Sequence, residues 1–194
     1  LIGGYAELAK LLKEHYTAGS ITIIGPFELG ESLNKVVEGQ ADAHLPLIHI
    51  DKEGQPYTYT STHLLDVHFA LYTNVSAPEI DPGALEGKTI AIQLGQADLF
   101  DFQAVESASL PEALGKVEQG VYDGYIMEAT ATDAYIEAHG LDFIRKQPFR
   151  DFEGCVAIPL GERGQEIDAL LSPLLEKVKA TPEYAAIVEG LSGK

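Results

Sequence analysis

Cysteine is nearly absent. Cys155 is the only one, which excludes an internal disulfide and any zinc site built from several thiolates. Its place in the apolar run Cys155, Val156, Ala157, Ile158 reads as a small buried hydrophobe. Basic residues are scarce too: 13 Lys and Arg face 30 Asp and Glu, a net charge of −17. Both signs are spread along the chain, which argues against a nucleic-acid or anionic-membrane surface. No apolar run approaches the roughly 18 residues that span a bilayer, and no secretory leader pattern is present. G-x-S-x-G, H-E-x-x-H and CxxC are missing. Residues 83–89, GALEGKT, resemble a phosphate loop, but only three residues separate the glycines. The stretch also precedes a predicted strand instead of linking strand to helix, so it fails on context. His44 and His49 are five apart, as are His63 and His68; on a strand such pairs point to opposite faces, so no metal site is expected.

What the chain does have is 45% apolar residues over 194 positions, enough for one large or two small domains with real cores. It also repeats itself. Residues 31–46, ESLNKVVEGQADAHLP, and 112–127, EALGKVEQGVYDGYIM, share six of sixteen aligned positions. Each copy predicts a helix with apolar residues at helical spacing (Leu33, Val36, Val37; Leu114, Val117). A glycine suited to a left-handed cap follows (Gly39; Gly120), then a short strand starting at Asp42 or Asp123. Two copies predict two similar α/β lobes, with strand ends at residues 46–48 and 127–129 where ligands bind in open α/β sheets.

In chain order the pattern predicts a helix over 6–16 and a buried parallel strand over 20–25 (SITIIG). The first repeat ends in a strand over 42–50, followed by a turn at 51–56. An aromatic–hydroxyl alternation at 57–61 and a strand at 68–73 lead into a Pro- and Gly-bearing passage, 74–88. Beyond it come a strand at 88–93, a loop at 94–98, a helix at 99–105, a short strand near Ser107 and the second repeat. A helix at 130–139, strands at 142–146 and 154–158, and helices at 164–179 and 182–191 close the chain. This assigns 1–73 plus 153–194 to lobe 1 and 74–152 to lobe 2, with hinges near 70–76 and 148–155. Lobe 1 has no counterpart of strand 88–93 and loop 94–98, so a segment upstream of Leu1 is expected to supply its first strand.

Several motifs occur in order: Gly4-Tyr5-Ala6-Glu7-Leu8-Ala9-Lys10, both helix-glycine-aspartate repeats, and LEGKTIAIQLG at 85–95. DGYIME at 123–128, a closing strand ending Ala157-Ile158-Pro159, and KATPEYAAI at 179–187 complete the set. Together they resemble the type II periplasmic binding proteins, specifically the amino-acid-type (family 3) solute-binding proteins of ABC importers. The resemblance implies a two-lobed fold, each lobe a mainly parallel sheet flanked by helices. It implies a periplasmic or extracellular bacterial protein, monomeric, that captures a small polar ligand between its lobes and presents it to a membrane permease.

The same resemblance places ligand contacts at Leu47 and His49 in lobe 1, and at Gln93, Gly95, Gln96 and Glu128 in lobe 2. Glu128 stands where the acid that pairs with a ligand amine is expected, one methylene longer than the usual aspartate. The arginine that clamps the ligand carboxylate falls near Gly54, in a loop (Asp51-Lys52-Glu53-Gly54) without arginine; Arg150 is the candidate replacement. No cofactor, metal or catalytic residue is expected. Alternative readings are the sensory domain of a receptor kinase and a cyclohexadienyl-dehydratase-like enzyme with Glu128 as general acid.

Overall fold

The computed structural model describes residues 4–191. The expected segment upstream of Leu1, and the ends of lobe 1 at 1–3 and 192–194, lie outside the described residues. Six α-helices and seven strands occur among the described residues, in two compact units. Unit 1 holds residues up to Val67 and from Phe152 onward; unit 2 runs from His68 to Asp151. The chain passes between them inside two strands, β3 (Leu65–Asn74) and β7 (Ile144–Pro159).

Unit 1 contains α1 (Gly4–His15), α2 (Leu29–Val37), β1 (His44–Ile48), β2 (Tyr57–Tyr59), α5 (Gly161–Lys179) and α6 (Pro182–Leu191). Leu8, Leu11 and Leu12 recur on one face of α1 and pack with Val156, Ile158, Ile167, Leu174, Leu175 and Val178 into one core. Leu8 is fully buried, worth about 1.5–3 kcal/mol relative to exposure. Both β1 and β2 pair antiparallel with the second half of β7, so parallel pairing, expected in both lobes, is found in unit 2.

Unit 2 contains β4 (Ile90–Gln93), β5 (Val105–Ser107), α3 (Leu110–Glu118), β6 (Gly124–Glu128) and α4 (Ala129–His139). Here β4 lies between β5 and β6 and runs parallel to both, while β6 pairs antiparallel with β3. Tyr72, Tyr125, Leu114 and Val117 lead its core. Ser109 caps α3, its hydroxyl accepting from Glu112 N–H at 3.3 Å.

The repeat is realised down to its hydrogen bonds. In α2, Gln40 N–H donates to Lys35 C=O at 2.8 Å and Gly39 N–H to Val36 C=O at 3.2 Å. In α3, Val121 N–H donates to Lys116 C=O at 2.9 Å and Gly120 N–H to Val117 C=O at 3.1 Å. Both helices thus end in a Schellman motif, and φ of +74° at Gly39 and +70° at Gly120 supplies the left-handed residue it needs.

Four expectations fail locally. Residues 20–25 form no strand; none of the described strands pairs with them, and Ile23 and Ile24 stay exposed. A continuous apolar run makes a strand only when neighbours satisfy its backbone. The helix expected at 99–105 is a single 3-10 turn, Ala97–Leu99. Beyond it the chain bends at residues 101–102 before reaching β5, and the rings of Phe100 and Phe102 cluster with that of Phe149. The two strands expected at 142–146 and 154–158 are one strand, β7, through Pro148. Finally, the register of β1 shifts between His44 and Leu47. That irregularity offsets the side-chain alternation by one residue, so a spacing of five no longer sends His44 and His49 to opposite faces.

Candidate functional site

Unit 2 gathers four of the expected residues at the carboxyl ends of adjacent parallel strands. Gln93 ends β4 and Glu128 ends β6, and the register Ile92 opposite Ile126 brings the two ends level. Behind Gln93 the chain turns at Gly95 (φ +84°), with Gln96 N–H donating to Gln93 C=O at 3.1 Å. Gly95 N–H donates to Glu106 Oε1 at 2.8 Å, which pins the turn to β5.

Glu128 is held from behind. Its side chain caps α4, Oε1 accepting from Thr130 N–H at 2.9 Å and Oε2 from Ala131 N–H at 3.0 Å. Each oxygen keeps a second lone pair for a donor in front. Gln96 Oε1 is buried with no hydrogen-bond partner among the described residues, an acceptor whose desolvation is uncompensated. Gln93 differs: its amide donates to Ala108 C=O at 3.3 Å and its Oε1 accepts from the Tyr125 hydroxyl at 3.3 Å. Both ends are engaged, so Gln93 acts as a strut. Burial pushes the Tyr125 phenol up to about 12, which keeps it the donor in that pair.

Arg150 sits in other company. Its guanidinium is 3.5 Å from Asp101 Oδ1 and lies over the Phe149 ring at 5.4 Å. Together with Phe102, Gln103, Lys88 and the 82–87 loop these residues line a cavity of about 540 Å³; Glu128 is not part of that lining. Phe69, directly opposite Glu128 across β3 and β6, touches the aromatic cluster through Phe100 at 6.2 Å between centroids.

In unit 1, Leu47 stands opposite Cys155 in the β1–β7 ladder, and His49 N–H donates to Glu153 C=O at 2.8 Å. The His49 ring contacts two carboxylates, Nδ1 at 3.4 Å from Glu153 Oε2 and Nε2 at 3.2 Å from Asp51 Oδ1. Tyr59 packs beside it, centroids 4.4 Å apart. These groups, with Lys52, Gly54, Tyr57 and Cys155, line a cavity of about 580 Å³. Burial, then the charge of Glu153, push the Cys155 thiol up to about 11 against the opposing pull of Lys179. Glu153, Asp51 and Cys155 are members of this cluster that sequence reasoning did not assign. The available signal was the i, i+2 spacing of Glu153 and Cys155, which puts both on one face of β7.

No family model matches the chain, and no curated protein matches it. Solved structures do. The sensor domain of a histidine kinase with similarity to periplasmic binding proteins superposes with a TM-score of 0.75 at 18% identity, covering 98% of this chain and 86% of that one. The periplasmic VFT2 domain of Bordetella pertussis BvgS gives a TM-score of 0.74 at 20% identity, over 96% of this chain and 82% of its own. ArtJ of Geobacillus stearothermophilus, an arginine-, lysine-, histidine-binding protein, gives 0.73 at 16% identity, over 100% and 87%. At such identities the likeness carries the fold, and the fold of this chain is the mixed α/β fold of periplasmic-binding-protein-like domains.

Proposed function

We propose that the chain is an extracytoplasmic solute-binding protein that takes a small polar, amino-acid-like ligand and delivers it to the permease of an ABC importer. The observation that carries this reading is the carboxylate of Glu128, fixed by two backbone N–H groups at the end of β6, with Gln96 Oε1, unpartnered among the described residues, in the turn after the adjacent strand β4. Two acceptors with free lone pairs suit a ligand ammonium, and the helix cap holds one of them in place before the ligand arrives. The fold supports binding over catalysis, since the neighbours described above are binding proteins and sensor domains. Leu47 and His49 are proposed contacts from unit 1, and Arg150 a proposed carboxylate partner that would first have to leave Asp101.

Titration calorimetry of the standard amino acids, each alone, tests the reading. Binding of at least one that is weakened about 10- to 150-fold by Glu128→Gln supports it, the range expected for a hydrogen bond to a charged group. Failure of the whole panel to bind overturns it. A second reading, the ligand-sensing domain of a receptor kinase, is favoured by the loop Asp51-Lys52-Glu53-Gly54, which offers no guanidinium for a carboxylate, and by the two sensor domains among the neighbours. A kinase domain in the same gene product would select it.

A further inference from the structure

His49 faces a chemical conflict. A neutral imidazole has one N–H and one lone pair, yet both of its nitrogens meet carboxylate oxygens, Asp51 at 3.2 Å and Glu153 at 3.4 Å. If Nε2–H donates to Asp51, the Nδ1 lone pair points at an anion. A cation between Nδ1 and Glu153 resolves the conflict. A third donor is in place beside them: a His49 ring nitrogen, a Glu153 carboxylate oxygen and Cys155 Sγ all lie within 4.8 Å of one another.

We propose that His49, Glu153 and Cys155 bind a divalent transition metal of the zinc type. The proposal shares only His49 with the amino-acid-binding reading and does not rest on it. One nitrogen, one oxygen and one sulfur are a donor set that zinc accepts, whereas magnesium and calcium do not take thiolate. The ladder explains the grouping. Glu153 and Cys155, two residues apart, share one face of β7, His49 pairs beside Glu153, and Leu47 stands opposite Cys155.

Asp51 supplies the second feature of a metal-binding histidine: a carboxylate on the far nitrogen that sets the tautomer and aims the ring. Metal–ligand bonds of about 2.0–2.3 Å imply donor separations of roughly 3.3–3.7 Å in a tetrahedron, so the widest pair has to close by about 1 Å. The side chains of His49 and Glu153 are 35% and 57% exposed and free to make that adjustment, while buried Cys155 stays put. The thiol proton passes to solvent as the metal binds. Thiolate and carboxylate then balance the divalent charge, and a net charge of −17 favours cation capture. The fourth position opens on the cavity of about 580 Å³, room for a water or a donor atom of a small molecule.

The whole chain, stripped with chelator, is titrated with Zn²⁺ alone by calorimetry and with Co²⁺ alone by absorption spectroscopy. Expected are one metal per chain, a near-ultraviolet thiolate-to-cobalt charge-transfer band, and loss of that band on adding Zn²⁺. Cys155→Ala abolishes the band. His49→Gln and Glu153→Gln, both substitutions at the cavity surface, weaken Zn²⁺ at least tenfold even if the core variant fails to fold. Asp51→Asn weakens it about 10- to 100-fold, and His68→Gln leaves it unchanged. No stoichiometric Zn²⁺ binding, or a Co²⁺ spectrum without the thiolate band, overturns the proposal. Amino-acid binding is measured with chelator present, so either idea fails without the other.

Discussion

Glu128 is asked to do two jobs, and substitutions separate them. As the cap of α4 it accepts from Thr130 and Ala131 N–H; as the proposed ligand contact it contributes a negative charge. Glu128→Ala removes both. Loss of a side-chain cap costs about 1 kcal/mol, which in a chain of this size lowers Tm by about 2–4 °C. The Thr132 hydroxyl bond to Glu128 C=O, 2.8 Å, survives because it involves backbone, so the loss stays at the lower end. Glu128→Ser restores a preferred cap without charge: stability returns to within a few tenths of a kcal/mol of wild type, while ligand affinity stays 10- to 150-fold reduced. Glu128→Asp keeps charge and cap and retains binding. The assays are paired urea or thermal melts and calorimetry on the same preparations. Wild-type affinity in the serine variant would refute the ligand role, and an alanine variant as stable as wild type would refute the cap.

Three further outcomes are expected. Burial holds the His44 imidazole below its ordinary value of 6.5, against an opposing hydrogen bond to the Pro46 backbone. The unfolded chain therefore takes up the proton first, and stability falls as pH drops below about 6.5 until the folded-state value is reached. Urea melts from pH 8 to 5 should show a shallower fall for His44→Gln than for wild type, and equal slopes would count against it. Gly120→Ala should cost about 1–2 kcal/mol, the penalty of a left-handed residue with a Cβ, because open space surrounds that position. Gly39→Ala should cost about as much, since the nearest atom its Cβ would meet is Arg163 Nη1 at 2.7 Å, the far end of an exposed flexible side chain that can swing aside; a clearly larger loss in denaturant melts would show that Arg163 cannot move without losing its bond to Asp42. Tyr72→Phe should cost about 1.5–3 kcal/mol, the value of a hydrogen bond to a charged group, because the buried Tyr72 hydroxyl donates to Asp133 at 2.8 Å. A melt unchanged from wild type would mean that Lys146, ion-paired to the same carboxylate, carries it alone.

The two repeats were legible because their information is local: apolar spacing, a glycine where φ must be positive, and an aspartate before the strand all lie within sixteen residues. The placement of Glu128 at a strand end followed from the same pattern. Residues 20–25 misled for the opposite reason. Their composition is that of a buried strand, but whether a strand forms depends on a neighbour that composition does not specify. The run at 99–105 lost its helix to ring packing among Phe100, Phe102 and Phe149, contacts that reach almost fifty residues along the chain.

From the amino-acid order alone came the α/β class, the doubled helix-glycine-strand unit, and the strand-end acid, since each rests on periodicity or on one residue's backbone preference. Tertiary structure decided three things. It showed that Glu128 is gripped by the helix it starts and that Arg150 is engaged by Asp101. It also showed that the lone cysteine has a histidine and a carboxylate for company. The company of the cysteine depends on strand register, which sets His49 beside Glu153 and Leu47 opposite Cys155, and register is a relation between segments far apart in sequence.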